Sequence, residues 1–381
     1  MRYIPTALLR PGYVLGRTVY GDAGDILLAK GVSLTEGMIS ALLKRDVKAV
    51  WIKDGVADDV EPEDVVSDHI HTIAVSSVHQ IFQTVSQEGV RRVSRDSIDR
   101  LRRVAESIVD EVLDSRISSH VISLKTHDAY TFAHSVDVAV GSVIIGKHLH
   151  MDRASLRELA LGALLHDIGK VQVAREILAK PGPLTKEEWE VIKLHPVWGY
   201  EIISTMPVDE ILPRHIALQH HERQDGQGYP RGLRGLNRIA RSDRERFSGA
   251  HIILAAEIVQ VADVHSALAS DRPHRPAFRP EEIPKALREM SGSHLNREIV
   301  GVFLAFTPVF PCGVTVRITA GLWADHYAVV VRNHDGAPDR PTVRVVMDPR
   351  GYPVHPVEID LRRETGVTIQ SALVTPQLVP V

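Results

Sequence analysis

The sequence has 381 residues, enough for two or three domains with sizeable cores, and its 44% hydrophobic and 24% charged content is that of an ordinary soluble globular protein. A formal net charge of −3 supplies no global basic field, which argues against a nucleic-acid polymer as partner. The single cysteine, Cys312, excludes an intrachain disulfide and fits a reducing compartment, while the 20 histidines are the one compositional oddity.

The first residues, Met1-Arg2-Tyr3-Ile4-Pro5, lack the charged start and apolar run of a signal peptide, and no stretch of about 18 apolar residues suggests a membrane span, so a cytoplasmic protein is expected. Residues 1–54 mix strand-like runs with turns at Arg10-Pro11-Gly12 and Asp22-Ala23-Gly24-Asp25. Ser33 and Glu36 have capping-box spacing, predicting a helix to about Lys44, and Lys48–Ile52 reads as a strand. Residues 55–67 are acidic, contain Pro62 and read as a solvated linker.

From residue 68 the pattern turns helical. Ile98, Leu101, Val104, Ile108 and Val112 recur at spacings of three and four, marking one amphipathic face. Ser155 with Glu158 and Thr185 with Glu188 predict two further helix starts, and Pro181-Gly182-Pro183 separates two helices. Beyond about Gly301, Val314–Ile318 alternates as a half-buried strand does, and Tyr327–Val331 and Val343–Val346 are short apolar runs between turn residues. The expected organisation is mainly α: a small mixed α/β N-terminal module (1–54), an acidic linker (55–67), a helical domain (68–307) and a small β-rich C-terminal module (308–381).

Within the helical part lie His134, His166-Asp167, His195, His220-His221 and Asp263. Burying an imidazole beside a carboxylate, as at the end of the apolar run Leu159–Leu165, is costly unless the two pair or bind a cation. An aspartate can bridge two ions through its two oxygens, and mixed nitrogen and oxygen donors suit iron, manganese or zinc better than magnesium or calcium. A lone His-Asp pair carries little weight, since an unrelated one stands at His127-Asp128.

These segments resemble the HD-GYP family of the HD phosphohydrolase superfamily over roughly residues 95–300. The matching pieces are His134-Ser135-Val136-Asp137-Val138, His166-Asp167-Ile168-Gly169-Lys170, His195-Pro196-Val197-Trp198-Gly199, the run from His220 to Pro230, and Val261-Ala262-Asp263. The resemblance implies a helical HD-type catalytic domain hydrolysing cyclic di-GMP to the linear dinucleotide pGpG, and on to GMP, by metal-activated water attack. It implies two divalent metal ions, iron or manganese: His134, His166, Asp167 and Asp263 would hold one, His195, His220 and His221 the other, and Asp167 would bridge. Tyr130 stands where some members have a glutamate for a third metal.

Lys170, three residues after Asp167, falls on a similar face if the helix continues and is the expected phosphate-holding group. Arg272 and Arg275, in Asp271-Arg272-Pro273-His274-Arg275, are expected to meet phosphate or guanine. The loop Gly228-Tyr229-Pro230 is expected to shape the rim and, by the resemblance, to dock diguanylate cyclase (GGDEF) domains; a homodimer is a further partner expectation. Gly351-Tyr352-Pro353 has no histidines before it and reads as an ordinary turn.

Two features depart from the family. Ser266 stands where many members have a second aspartate, so a contact beside the last ligand would be lost. Residues 238–250 read as an insertion carrying Arg241, Arg244 and Arg246, either a solvated loop or a lid with phosphate-binding arginines. The rival functions are hydrolysis of another cyclic dinucleotide or nucleotide, and a degenerate scaffold that binds cyclic di-GMP without cleaving it.

Overall fold

The computed structural model describes residues 1–21, 25–45, 47–61, 65–115, 130–180, 182–270 and 277–372. Its first part contains strands β1 (Arg2–Pro5), β2 (Val14–Leu15), β3 (Val19–Tyr20) and β4 (Ile26–Leu28), helix α1 (Glu36–Lys44) and strand β5 (Ala49–Lys53). β5 lies between β1 and β2, antiparallel to both, and β3 pairs with β4. α1 is capped by Thr35, whose hydroxyl accepts from the Met38 amide at 3.3 Å, and not by the expected Ser33, which forms a bridge with Val14. Pairing with β2 therefore takes Ser33 into extended structure and leaves the cap to the next hydroxyl.

The central part is helical: α2 (Asp68–Glu88), α3 (Arg95–Asp114), α4 (Tyr130–His148), α5 (Arg153–Leu165), α6 (Arg175–Leu178), α7 (Lys186–Ile192), α8 (His195–Thr205), α9 (Leu212–Gln219), α10 (Asp243–Phe247), α11 (Leu254–Ala269), α12 (Ile283–Met290) and α13 (Arg297–Phe306). The predicted stripe Ile98, Leu101, Val104, Ile108 and Val112 is buried along α3. α4, α11 and the second half of α5 are apolar around most of their circumference, so they are enclosed and form the middle of the core. α5 begins one turn earlier than expected: Asp152 is its cap, accepting from the Ser155 amide at 3.0 Å. The box at Thr185 and Glu188 forms as read from the sequence.

No helix among the described residues is long and apolar enough to cross a membrane. The last part is a five-stranded antiparallel sheet with order β10-β6-β7-β8-β9, made of β6 (Thr315–Ala320), β7 (Tyr327–Arg332), β8 (Thr342–Met347), β9 (Pro353–Asp360) and β10 (Thr368–Ser371). Gly351-Tyr352-Pro353 is the β8–β9 turn, closed by Asp348 accepting from the Tyr352 amide at 2.9 Å. The fold is the helical one expected, with β-rich parts at both ends of the chain.

Those two end parts pack on each other. The Tyr3 amide donates to the Gly313 carbonyl at 3.1 Å. Arg2 is fully buried, pairs with Asp54, and lies 3.5 Å from the Thr315 hydroxyl. Residues Ala57 and Val60, in the segment read as a solvated linker, form an apolar cluster with Val329, Val346 and Met347 of β7 and β8. Arg344 of β8 holds Asp59 at 2.7 and 2.8 Å.

Candidate metal centre

The candidate ligands sit where core helices begin, end or pass through the middle of the domain. His134 lies in the second turn of α4, His166 caps the C-terminus of α5, His195 opens α8, His220 caps the C-terminus of α9, and Asp263 lies within α11. Two groups result. Asp167, His195, His220 and His221 place one donor atom each within 4.8 Å of one another, as do His134, His166 and Asp167, so Asp167 is common to both. His195 Nε2 and His220 Nε2 lie 3.4 and 3.6 Å from Asp167 Oδ1, and His166 Nε2 lies 3.4 Å from Asp167 Oδ2. Asp263 faces His134, with Oδ1 3.1 Å from Nε2.

The histidines are oriented from behind. His166, His195 and His220 each direct Nδ1 at the backbone carbonyl three residues earlier, on Ala163, Ile192 and Ala217, at 2.7, 2.7 and 2.8 Å. A carbonyl only accepts, so Nδ1 carries the proton and Nε2 turns a lone pair inward; this is the arrangement of metal-ligating histidines. Burial pushes His220 down to about 4. Burial, reinforced by His220 and His195, holds His221 well below the ordinary imidazole value, so both rings are neutral donors at pH 7. Burial would raise Asp167, but Lys170 beside it outweighs that and helps hold the carboxylate ionised. His166 Nε2 and Asp167 Oδ1 are fully enclosed without a hydrogen-bond partner. Orphaned buried donor atoms, fixed tautomers and a shared carboxylate together fit a divalent-metal site.

α5 ends at the His166-Asp167 pair, as expected, and a 3-10 turn, Ile168–Gln172, follows in place of a continuing helix. Its three-residue period still eclipses positions three apart, and Lys170 Nζ lies 2.5 Å from Asp167 Oδ2. The turn packs tightly on α8: a Cβ on Gly169 would stand 2.0 Å from the His195 carbonyl oxygen. Gly169 and Gly199, both inside the motifs, are what lets the segment bearing Asp167 approach the segment bearing His195.

The expected loss at Ser266 does not occur. Its hydroxyl lies 2.9 Å from His134 Nδ1 and orients that ring as a carboxylate would. Ser266→Ala is therefore expected to weaken metal retention about 10–100-fold, the usual cost of removing such a partner, and Ser266→Asp to preserve it. Metal content after dialysis against graded chelator measures the difference.

The loop after His221 is held by groups that the sequence reading missed. Glu222 is buried and accepts from the Arg231 and Leu233 amides at 2.8 and 2.7 Å, folding the Gly-Tyr-Pro segment back on itself. Gln224 Nε2 donates to Glu257 of α11 at 2.8 Å, Asn296 Nδ2 donates to the same carboxylate at 2.8 Å, and Arg241 forms an ion pair with it. Gln260 reaches from α11 to the Glu222 carbonyl. The loop bearing His220 and His221 is thus tied to the helix bearing Asp263. Exact chain neighbours of the ligands were the available signal for Glu222 and Gln224; none existed for Glu257 or Asn296.

Arg241 is spent in this buried pair, and Arg238 pairs with Glu245, itself part of the box that opens α10. Arg241 is consequently an anchor for the 238–250 segment and not a phosphate ligand of a lid; Arg244 and Arg246 are exposed. Arg272 and Arg275 lie outside the described residues, as do His127-Asp128 and the side chain of Tyr130. Tyr229 stacks on His221, with ring centroids 4.8 Å apart and planes at 26°.

The chain is similar to known proteins over its helical part and its last sheet. Residues 117–240 match the family described as HD domain, and residues 323–378 match one described as KOW domain associated with HD domain. A cyclic di-GMP phosphodiesterase of Pseudomonas aeruginosa is 31% identical over 68% of this chain and 59% of its own length. A 3'3'-cGAMP-specific phosphodiesterase of Vibrio cholerae is 37% identical over 42% of this chain and 31% of its own length. The chain thus spans less than two thirds of the curated relatives it matches. A solved HDG"Y"P protein from Bdellovibrio bacteriovorus shares the fold, with a TM-score of 0.51 and 19% identity over 79% of this chain and 97% of that one. Residues 117–240 thus carry an HD domain, and the Gly-Tyr-Pro loop lies within that span.

Proposed function

We propose that the chain is a metal-dependent phosphodiesterase that hydrolyses cyclic di-GMP to pGpG, and further to GMP. The observation that supports this most is Asp167, one buried carboxylate shared by two inward-facing donor groups. In this reading His134, His166, Asp167 and Asp263 would hold one divalent ion, iron or manganese, and His195, His220 and His221, with Asp167 shared, would hold a second. When bound, such a pair supplies charge neutralisation for the phosphodiester and activates water near neutral pH.

The chain's own residues do the rest. Lys170, paired with Asp167 and partly exposed, is placed to exchange that contact for a phosphate oxygen and to stabilise its charge during cleavage. Glu222, Gln224 and Glu257 keep the loop and α11 in register, so that the two donor groups face one phosphate. Arg272 and Arg275 are assigned to phosphate or guanine. The helical domain at 68–307 is the catalytic unit, acting in the cytoplasm, flanked by modules at 1–54 and 308–381; the Gly228-Tyr229-Pro230 loop is the assigned contact for GGDEF domains, and a homodimer is the assigned assembly.

The similarity to a 3'3'-cGAMP-specific enzyme favours one second reading, a mixed purine dinucleotide as substrate. Anaerobically purified protein, assayed for metal content and then with cyclic di-GMP, 3'3'-cGAMP and pGpG, separates these readings. Hydrolysis of cyclic di-GMP that a chelator removes and iron or manganese restores is expected; metal-loaded protein that cleaves none of the three would overturn the proposal.

A further inference from the structure

Trp189 is the feature of this surface that the metal centre leaves unexplained. It lies on α7, belongs to none of the apolar clusters among the described residues, and is 44% exposed. An indole is among the most favourable groups to bury, and this one stands at the end of an aromatic series that begins at the donor cluster. α7 is a firm mount for it. The helix starts in a complete capping box at Thr185 and Glu188, and Lys180 Nζ holds Glu188 at 2.9 and 2.6 Å.

The indole also connects to the donor groups. Its ring meets Tyr229 edge to face, with centroids 6.1 Å apart and planes at 81°. Tyr229 in turn stacks on His221. Three aromatic rings therefore run outward from the donor cluster to the surface: His221, Tyr229, Trp189. Beyond that contact Trp189 keeps surface open to solvent.

We infer that Trp189 is a specificity-determining residue of the substrate site: its indole stacks one purine base of the cyclic dinucleotide while the phosphate lies at the donor groups. The inference rests on the phosphodiesterase reading. A base one nucleoside away from a phosphate at the cluster arrives at the outer end of the aromatic series, where a flat π surface waits. Stacking of this kind tolerates either purine, so Trp189 would select cyclic dinucleotides over base-free phosphodiesters without distinguishing guanine from adenine.

The test compares wild type, Trp189→Ala and Trp189→Phe on cyclic di-GMP and on methyl 2,2,2-trifluoroethyl phosphate, which has no ring to stack, with titration of the indole emission by cyclic di-GMP in metal-free protein. Trp189→Ala is expected to raise KM for the dinucleotide roughly 10–100-fold, with a far smaller effect on kcat, and Trp189→Phe to recover most of it. The small ester should lose much less kcat/KM than the dinucleotide. Cyclic di-GMP should quench wild-type emission, and the quench should vanish in Trp189→Phe. An unchanged KM, or equal losses on both substrates through disturbance of Tyr229, would overturn the inference. If wild type cleaves no cyclic dinucleotide, the catalytic reading fails instead, and the emission titration still decides whether Trp189 binds a base. An effect of Trp189→Ala seen only on association with a protein partner would also count against it.

Discussion

Replacing Asp167 with alanine is expected to lower kcat/KM by more than about 10³-fold and to strip metal from both donor groups together. A single preorganised charge-stabilising contact is commonly worth about 10²–10³-fold, and Asp167 serves several partners at once. Its carboxylate lies within 3.6 Å of His166, His195, His220 and Lys170. Its loss leaves Lys170 and the histidines facing one another with no anion between them, so the site cannot relax into a weaker version of itself. Asp263→Ala should behave differently. Among the ligands Asp263 makes its close contact with His134 and reaches His166 and His221 only at longer range, so its removal should deplete the His134 group most. Metal stoichiometry, measured alongside turnover, distinguishes the two variants; equal metal loss in both would show that Asp167 is not shared.

Gly169→Ala is the second large effect, and it acts through space instead of charge. The added Cβ would stand 2.0 Å from the His195 carbonyl oxygen and 2.6 Å from the Gly199 amide nitrogen. Neither neighbour is a flexible side chain; both are backbone, so the 3-10 turn and α8 must separate. Overpacking of this kind costs about 1–3 kcal/mol and more where backbone must move. A domain of 150–250 residues loses about 2–4 °C of Tm per kcal/mol, so a drop of several degrees is expected. Activity should fall further than stability explains, because the displaced segments bear Asp167 and His195. A variant that retains wild-type Tm and turnover would show that the two segments tolerate separation.

The donor set was legible in the sequence because its chemistry fixes residue type: only His and Asp serve, and their neighbours keep them in order along the chain. The α3 stripe was legible because burial on one helical face imposes a period. What escaped was non-local. Ser266 looked like a lost contact because a serine hydroxyl is a poor substitute for a carboxylate in composition, yet across 132 positions it meets His134 at hydrogen-bond distance. Arg241 looked like a solvent-facing or phosphate-binding arginine because nothing in its own segment reveals Glu257. Helix starts at Ser33 and Ser155 were misplaced by a few residues, since several nearby hydroxyls and carboxylates compete for each cap and strand pairing or the preceding turn decides between them. Pairing of the two chain ends left no trace in either one.

That pairing has a consequence in time. β1 to β5 emerge from the ribosome about 260 residues before Gly313 and β6 to β8, on which Tyr3, Arg2, Ala57 and Val60 pack. At the usual rate of synthesis the early strands wait roughly 15–60 s for their partners. The helical domain, rich in local contacts, is expected to fold during that interval and to carry the late sheet to the waiting one. Closure of the β-rich body therefore waits for β8, and until then Ala57 and Val60 stay uncovered, so a chain stopped before β7 should be digested by protease at the 55–61 segment.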